Sequence, residues 1–128
     1  MLIQVLKSKL KEVIVTAADT RYQGSITLDP DLMDAANLIP YEAVHVNGVN
    51  SDSRIVTYVI PGERGSGCVE LNGGAANLFI KGEHVHVNCF GAIDLSPAFY
   101  EGNDMITSSG TCYIPKVVIT DENNKVID

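Results

Sequence analysis

A mainly β chain, closed as a barrel of short strands with small helical inserts, is what this sequence predicts. Three observations carry that expectation. Short runs rich in Val, Ile, Thr and Tyr recur along the chain, each bounded by Gly, Pro or Asn. Helical periodicity is scarce. A length of 128 residues suits one domain, which buries roughly two-thirds of its unfolded surface and needs no disulfide or metal to hold a core. Trp is absent and aromatics are few, so that core must come from Val, Ile, Leu and Ala.

The elements follow in order. Lys11–Thr16 alternates and puts Val13 and Val15 on one face. Ser25–Leu28 is a second strand, set between Gly24 and Asp29-Pro30. Asp29 is placed to cap a helix with Pro30 at its first position, running through Leu38. Ala43–Asn47, Arg54–Ile60 and Cys68–Leu71 read as strands. Gly74–Phe79 reads as a short helix entered from Asn72-Gly73. His84–Phe90 and Lys116–Thr120 complete the strands. Gly91–Gly110 is the least regular stretch and is expected to be a loop, an insertion or a partner-facing segment.

Charge narrows the function classes. The formal net charge of −7 argues against nucleic acid and against an anionic membrane surface. It leaves room for a small anion, because a local group of cations can reverse the field in one cleft. Lys7, Lys9, Lys11 and Arg54 are candidates. Cys68, Cys89 and Cys112 are odd in number and far apart, which suggests reduced thiols and neither a disulfide framework nor a zinc site. His84 and His86 share a strand face, but two ligands do not make a metal site, and His45 has no evident partner. No leader-like run opens the chain and no stretch approaches ~20 apolar residues, so the expected compartment is the cytoplasm.

Three segments carry chemistry. On its own, Gly24-Ser25 reads as a turn before a strand. Its reactive alternative is specific. A Ser hydroxyl held against the preceding carbonyl can attack it and turn the amide into an ester. Gly on the acyl side gives the nucleophile room and tolerates strained dihedrals. Elimination frees the upstream chain, and hydrolysis of the remaining dehydroalanine leaves a pyruvoyl group and ammonia. That ketone can form a Schiff base with a substrate amine and accept electrons, as PLP does. The second segment is the strand Arg54–Ile60. Arg54, Val56 and Tyr58 share one face and Thr57 lies on the other. Arg grips carboxylates in bidentate fashion, and a phenol can deliver a proton to a carbanion. Taken alone, this is an edge strand with a surface Arg and a half-buried Tyr. The third is Asn72-Gly73-Gly74-Ala75, where backbone N–H groups could face an anion, though such a turn is commoner as a simple corner.

Taken together these segments resemble the pyruvoyl-dependent aspartate 1-decarboxylases of bacteria. The likeness rests on Lys9-Leu10, Val15-Thr16 with Ala18-Asp19, Tyr22-x-Gly24-Ser25, Asp31-Leu32 with Ala35-Ala36-x-Leu38, and Glu42. It continues through Arg54-x-x-Thr57-Tyr58, Arg64-Gly65, Asn72-Gly73-x-Ala75-Ala76 and Gly82. It covers roughly residues 1–90, with an echo at Ile114–Val117. The chain departs from the family at Lys11, where His is frequent, at Gly74, where Ala is usual, and after Phe90.

The resemblance implies a double-psi β-barrel and a single domain whose precursor cuts itself into a β chain, residues 1–24, and an α chain, residues 25–128. It implies a covalent pyruvoyl group from Ser25 in place of PLP and without a metal. It implies conversion of L-aspartate to β-alanine and CO2, supplying pantothenate and coenzyme A, in a homotetramer with sites at subunit contacts. Position by position, Gly24 and Ser25 form the cleavage site and Tyr58 is the proton donor. Thr57 contacts substrate and helps cleavage. Gly73, Gly74 and Ala75 line the substrate site, Lys9 and Arg54 bind carboxylate, and Tyr22 and Asn72 shape the pocket. The sequence leaves open a maturation factor. It also leaves open an uncut, idle barrel serving as a binding or regulatory module, and a pyruvoyl enzyme for another amino acid. A Ser hydrolase is disfavoured, because no Gly-x-Ser-x-Gly elbow is present.

Overall fold

The computed structural model describes residues 2–21, 24–94, 99–102, 104–107, 110 and 112–128. Strands dominate: β1 (Leu2–Ile14), β2 (Ala17–Asp19), β3 (Ser25–Leu28), β4 (Ala43–Gly48), β5 (Arg54–Pro61), β6 (Val69–Asn72) and β7 (His84–Asp94). They are followed by β8 (Phe99–Glu101), β9 (Asp104–Ile106), β10 (Cys112–Tyr113) and β11 (Lys116–Ile119). The main sheet runs β11-β1-β7-β4-β5-β3-β6-β2. β1, second in that order with β11 paired outside it, runs on after Val15 and Thr16 into β2 at the far end. Thr16 N–H donates to the Val69 carbonyl at 2.8 Å and holds that join against β6. The sheet therefore closes on itself. Pairing is mixed, parallel at β1–β11, β2–β6 and β3–β5 and antiparallel elsewhere in the barrel. This is the mainly β, double-psi barrel that the sequence predicts.

The interior is aliphatic. Leu10, Val13, Ile26, Leu28, Val44, Val46, Val59, Val69, Leu71 and Val85 are fully buried and come from successive strands of the barrel. Val13 and Val15 share the core side, as their spacing predicts. β1 is longer than the predicted strand because register shifts at Leu6/Ser8 and Leu10/Val13 break the period of two. β7 likewise runs past Phe90 to Asp94, paired with the start of β1. Part of the segment expected to be irregular forms a small antiparallel sheet in the order β10-β9-β8. The Tyr113 hydroxyl ties that sheet to the barrel by donating to the Leu6 carbonyl at 2.6 Å.

The helix α1 spans Pro30–Ala36 and ends at Asn37 in the left-handed conformation. It starts as predicted, with the Asp29 carboxylate accepting from the Asp31 N–H at 2.8 Å and Pro30 in the first turn. Asp29 also accepts from Gly65 N–H at 3.0 Å and Gly67 N–H at 2.7 Å. Gly67 is required there, since its φ is +71° and a Cβ would lie 2.4 Å from the Asn123 carbonyl oxygen. Burial alone would raise the Asp29 carboxyl, but these three N–H donors and the Lys125 charge hold it below its ordinary value. Its stabilising contribution is therefore present above the unfolded-state pKa and lost as pH falls through the lowered folded one. Asp29→Ala removes a cap and orphans two further donors, an expected cost of about 3 kcal/mol and roughly 10 °C in Tm. A thermal melt near neutral pH checks it; a shift below a few degrees would mean that water replaces the carboxylate.

Candidate active site

Ser25 opens β3 directly opposite Asn72 of β6, and Thr27 stands opposite Glu70. Ile26 and Leu28 point into the core, so alternation turns Ser25 and Thr27 to the outer face. Ser25 is nevertheless buried, with 5% of its surface exposed. The Asn72 side-chain Nδ2 donates to Ser25 Oγ at 3.0 Å and to Thr27 Oγ1 at 2.9 Å. Both amide hydrogens are thus spent on hydroxyls, and the Asn72 side chain makes no cap on the turn that follows it. Gly24 sits beside this group and is exposed. Its backbone is not in the left-handed region, and a Cβ there would meet nothing nearer than the Asn72 carbonyl oxygen at 3.9 Å. Neither a positive φ nor a close contact therefore demands Gly at position 24.

β5 supplies the next residue. Ile26 pairs with Val59 and Thr27 with Ile60 in parallel register. One step back along both strands sets Ser25 beside Tyr58, on the same outer face. Tyr58 is half-buried, its ring 6.4 Å from that of Tyr41 between centroids. Thr57 alternates to the side of Ile55 and Val59, as the sequence predicts. The chain after Asn72 turns at Gly73, with φ +65°, into a single 3-10 turn, Gly73–Asn77. That turn is too short to present the helix N-terminus that the glycines suggested. Open space surrounds the point where a Gly74 Cβ would stand, so Ala would fit there equally well. Tyr22 lies outside the described residues.

Lys9 and Arg54 lie elsewhere on the chain. Arg54 precedes Tyr58 by four residues on one strand face, about 13 Å along β5. Lys9 is on β1, four strands from β3 in the sheet order, paired with Asn88 of β7 and Val117 of β11. Both face outward across β1, β7, β4 and β5, where Lys9 pairs with Asn88, Asn88 with His45, and Asn47 with both Arg54 and His86. A cleft of about 400 Å³ lies over this face, lined by His45, Asn47, Arg54, Val56, Asn88 and Phe90 among others. One chain thus assembles the Ser25 group and a cationic face, but does not bring them together.

Two other expectations change. Lys7 pairs with Glu42 at 2.7 Å, which removes it from the anion-binding candidates. The same Glu42 oxygen accepts from Cys89 Sγ at 2.9 Å. Burial and the adjacent Glu42 push the Cys89 thiol up to about 12, so it stays protonated and unreactive at neutral pH. Although residue 11 is Lys, an imidazole stands near it: His86 Nδ1 accepts from the Glu12 N–H at 3.1 Å, leaving the ring's Nε2 as the donor. Burial, then Lys9 and Lys11, lowers the His86 pKa and favours the neutral ring. His45 packs edge-on against Phe90, 4.9 Å between centroids. Among the described residues, no three His, Cys, Asp or Glu side chains converge on a metal position. Thr27 is the site residue that the sequence reading missed. Its signal was available: Ser25-x-Thr27 in a strand places both hydroxyls on one face.

Comparison with known proteins bears on this arrangement. The family model described as aspartate decarboxylase matches residues 1–127. The aspartate 1-decarboxylase of Leptospira biflexa serovar Patoc is 45% identical over 125 residues, covering 98% of this chain and 97% of its own length. That of Phocaeicola vulgatus is 51% identical over 98 residues, 77% of this chain and 84% of its own. That of Caldicellulosiruptor saccharolyticus is 41% identical over 127 residues, 99% and 90% of the two chains.

Proposed function

The chain belongs to the aspartate decarboxylase family, and from that premise we propose that it cuts itself between Gly24 and Ser25 and then converts L-aspartate to β-alanine and CO2. The observation that carries the proposal is the buried Ser25 hydroxyl, held by Asn72 directly after an exposed Gly24. Self-cleavage needs little else. Ser25 Oγ bonds to the Gly24 carbonyl carbon while the Gly24–Ser25 C–N bond breaks. Loss of the Ser25 α-proton then expels residues 1–24 as a carboxylate, and water converts the dehydroalanine to a pyruvoyl group and ammonia. Holding the oxygen in place spares the entropy of finding the carbonyl.

The residues present fit a pyruvoyl group at position 25. It would stand in a buried polar niche, with the Asn72 amide on one side and Tyr58 in register on the other. When present, that ketone supplies covalent capture of the substrate amine and an electron sink. The chain's own residues do the rest. Tyr58 delivers a proton to the substrate carbon that loses CO2. Gly73 to Ala75 line the same corner, and Thr57 assists cleavage. Lys9 and Arg54 hold the carboxylate that remains. A strong ion pair on the departing carboxylate would stabilise the ground state more than the transition state, so the cations belong on the side-chain carboxylate.

Lys9 and Arg54 face outward over the β1-β7-β4-β5 side rather than toward Ser25, so a second copy of the chain would complete the site. This supports a homotetramer with sites at subunit contacts. Placement in the cytoplasm and supply of pantothenate and coenzyme A belong to the same proposal; no described helix is long and apolar enough to cross a membrane.

The denatured intact mass tests the reading first. Fragments of residues 1–24 and 25–128, the larger one blocked by pyruvoyl, are the expected result, with CO2 released from aspartate. A full-length mass that persists after heating would identify an idle barrel and end the proposal. In fully cut protein, Arg54→Ala should raise KM for aspartate roughly 10- to 100-fold, the loss of a charged hydrogen-bonded contact. An unchanged KM would remove Arg54 from substrate binding.

A further inference from the structure

Thr27 is bound to the cleavage chemistry by geometry. Asn72 Nδ2 donates to two oxygens, Ser25 Oγ and Thr27 Oγ1, which stand two residues apart on one face of β3. An amide held by one hydroxyl can still turn about its last side-chain torsion. Held by two, its nitrogen is fixed between them. The second anchor therefore decides whether the first contact, the one on the nucleophile, keeps its direction. Thr27 is itself held. A Cβ built on Gly62 would come within 2.9 Å of Thr27 Cγ2, so the Thr27 methyl rests against the bare backbone of Gly62. A β-branched side chain has few χ1 choices, and with its methyl seated there the Oγ1 is left facing Asn72.

We propose that Thr27 is a positioning residue for self-cleavage, acting through Asn72 to keep Ser25 Oγ aimed at the Gly24 carbonyl. The inference rests on the cleavage reading above and deepens it. Thr27 touches neither the bond that forms, Ser25 Oγ to the Gly24 carbonyl carbon, nor the one that breaks. Its contribution is the orientation of the amide that holds the oxygen. Once the cut is complete and Oγ has departed with residues 1–24, that task is over, so the effect belongs to processing.

Two variants test it. Thr27→Val keeps the branch and the methyl against Gly62 but removes Oγ1. Thr27→Ser keeps Oγ1 and removes the methyl. The readout is the uncut fraction of freshly purified precursor over time, from denatured intact mass, beside a thermal melt of each protein. Val is expected to slow cleavage about tenfold, the scale of one lost hydrogen bond at a reacting group, while Ser restores it to within a few-fold of wild type. Both should melt near the wild-type temperature. Cleavage by Val at the wild-type rate would overturn the inference alone. So would equal slowing by Val and Ser with matching losses of Tm, which would make the role purely structural. A wild-type chain that never cuts would overturn the parent reading and this one together.

Discussion

Ser25→Ala should leave the chain whole and reduce decarboxylation of aspartate below detection. No neighbouring group can stand in for the lost oxygen: Thr27, two residues away on the same face, has the wrong carbonyl before it. An ordinary peptide bond is inert on laboratory timescales, so the uncut fraction should stay complete even after heating. The fold should survive. Asn72 keeps its bond to Thr27 Oγ1, and the loss of one hydroxyl costs about 1 kcal/mol. Intact mass, a thermal melt and a CO2-release assay on one preparation separate these effects. A cut Ser25→Ala chain would move the cleavage site. An uncut chain with wild-type turnover would remove the pyruvoyl group from the mechanism.

Tyr58→Phe should behave in the opposite way, cutting completely while kcat falls between about 100- and 10,000-fold, the range that a positioned acid contributes. Register with Val59 and Ile26 places the ring beside Ser25 whether or not it carries a hydroxyl. The contact with Tyr41 needs only the ring, so packing should be retained. KM should change little, because the phenol acts after CO2 has left. Wild-type kcat in the Phe variant would mean that the proton comes from another donor.

Much of this was legible before the structure. Ser25–Leu28 reads as a strand because Ile26 and Leu28 alternate between turn residues, and β3 has those bounds. Asp29-Pro30 announces α1 through capping chemistry that is local in sequence. β1 was half hidden because its extra residues near Lys7 and Lys11 reverse the inward face along the strand, which alternation alone cannot anticipate. The region after Phe90 was hidden for another reason. Its short strands are held by long-range partners, as Tyr113 is by Leu6, and carry little pattern of their own. At the site, residue types pointed to Ser25, Tyr58 and Arg54, and strand alternation correctly separated Thr57 from Tyr58. It could not show that Arg54 and Lys9 stand apart from Ser25, because register across β1, β7, β4 and β5 is a tertiary property. Nor could it show that Asn72 serves two hydroxyls at once.

The join that closes the barrel would change character under the proposed cut after Gly24. β1 and β2 both lie in residues 1–24, and they pair with β7, β11 and β6 of the remainder. Residues 1–24 contain no cysteine, so no covalent link would replace the severed peptide. A precursor can find its fold as a unimolecular event. Cut as proposed, the protein would be a complex of two polypeptides, and its recovery from denaturant would become second order. Its apparent stability then rises with concentration by mass action. Until the short piece returns, β7 and β6 each present an unpaired edge, a template for self-association. The proposed cut would therefore make the fold conditional on having been assembled once, in the uncut chain.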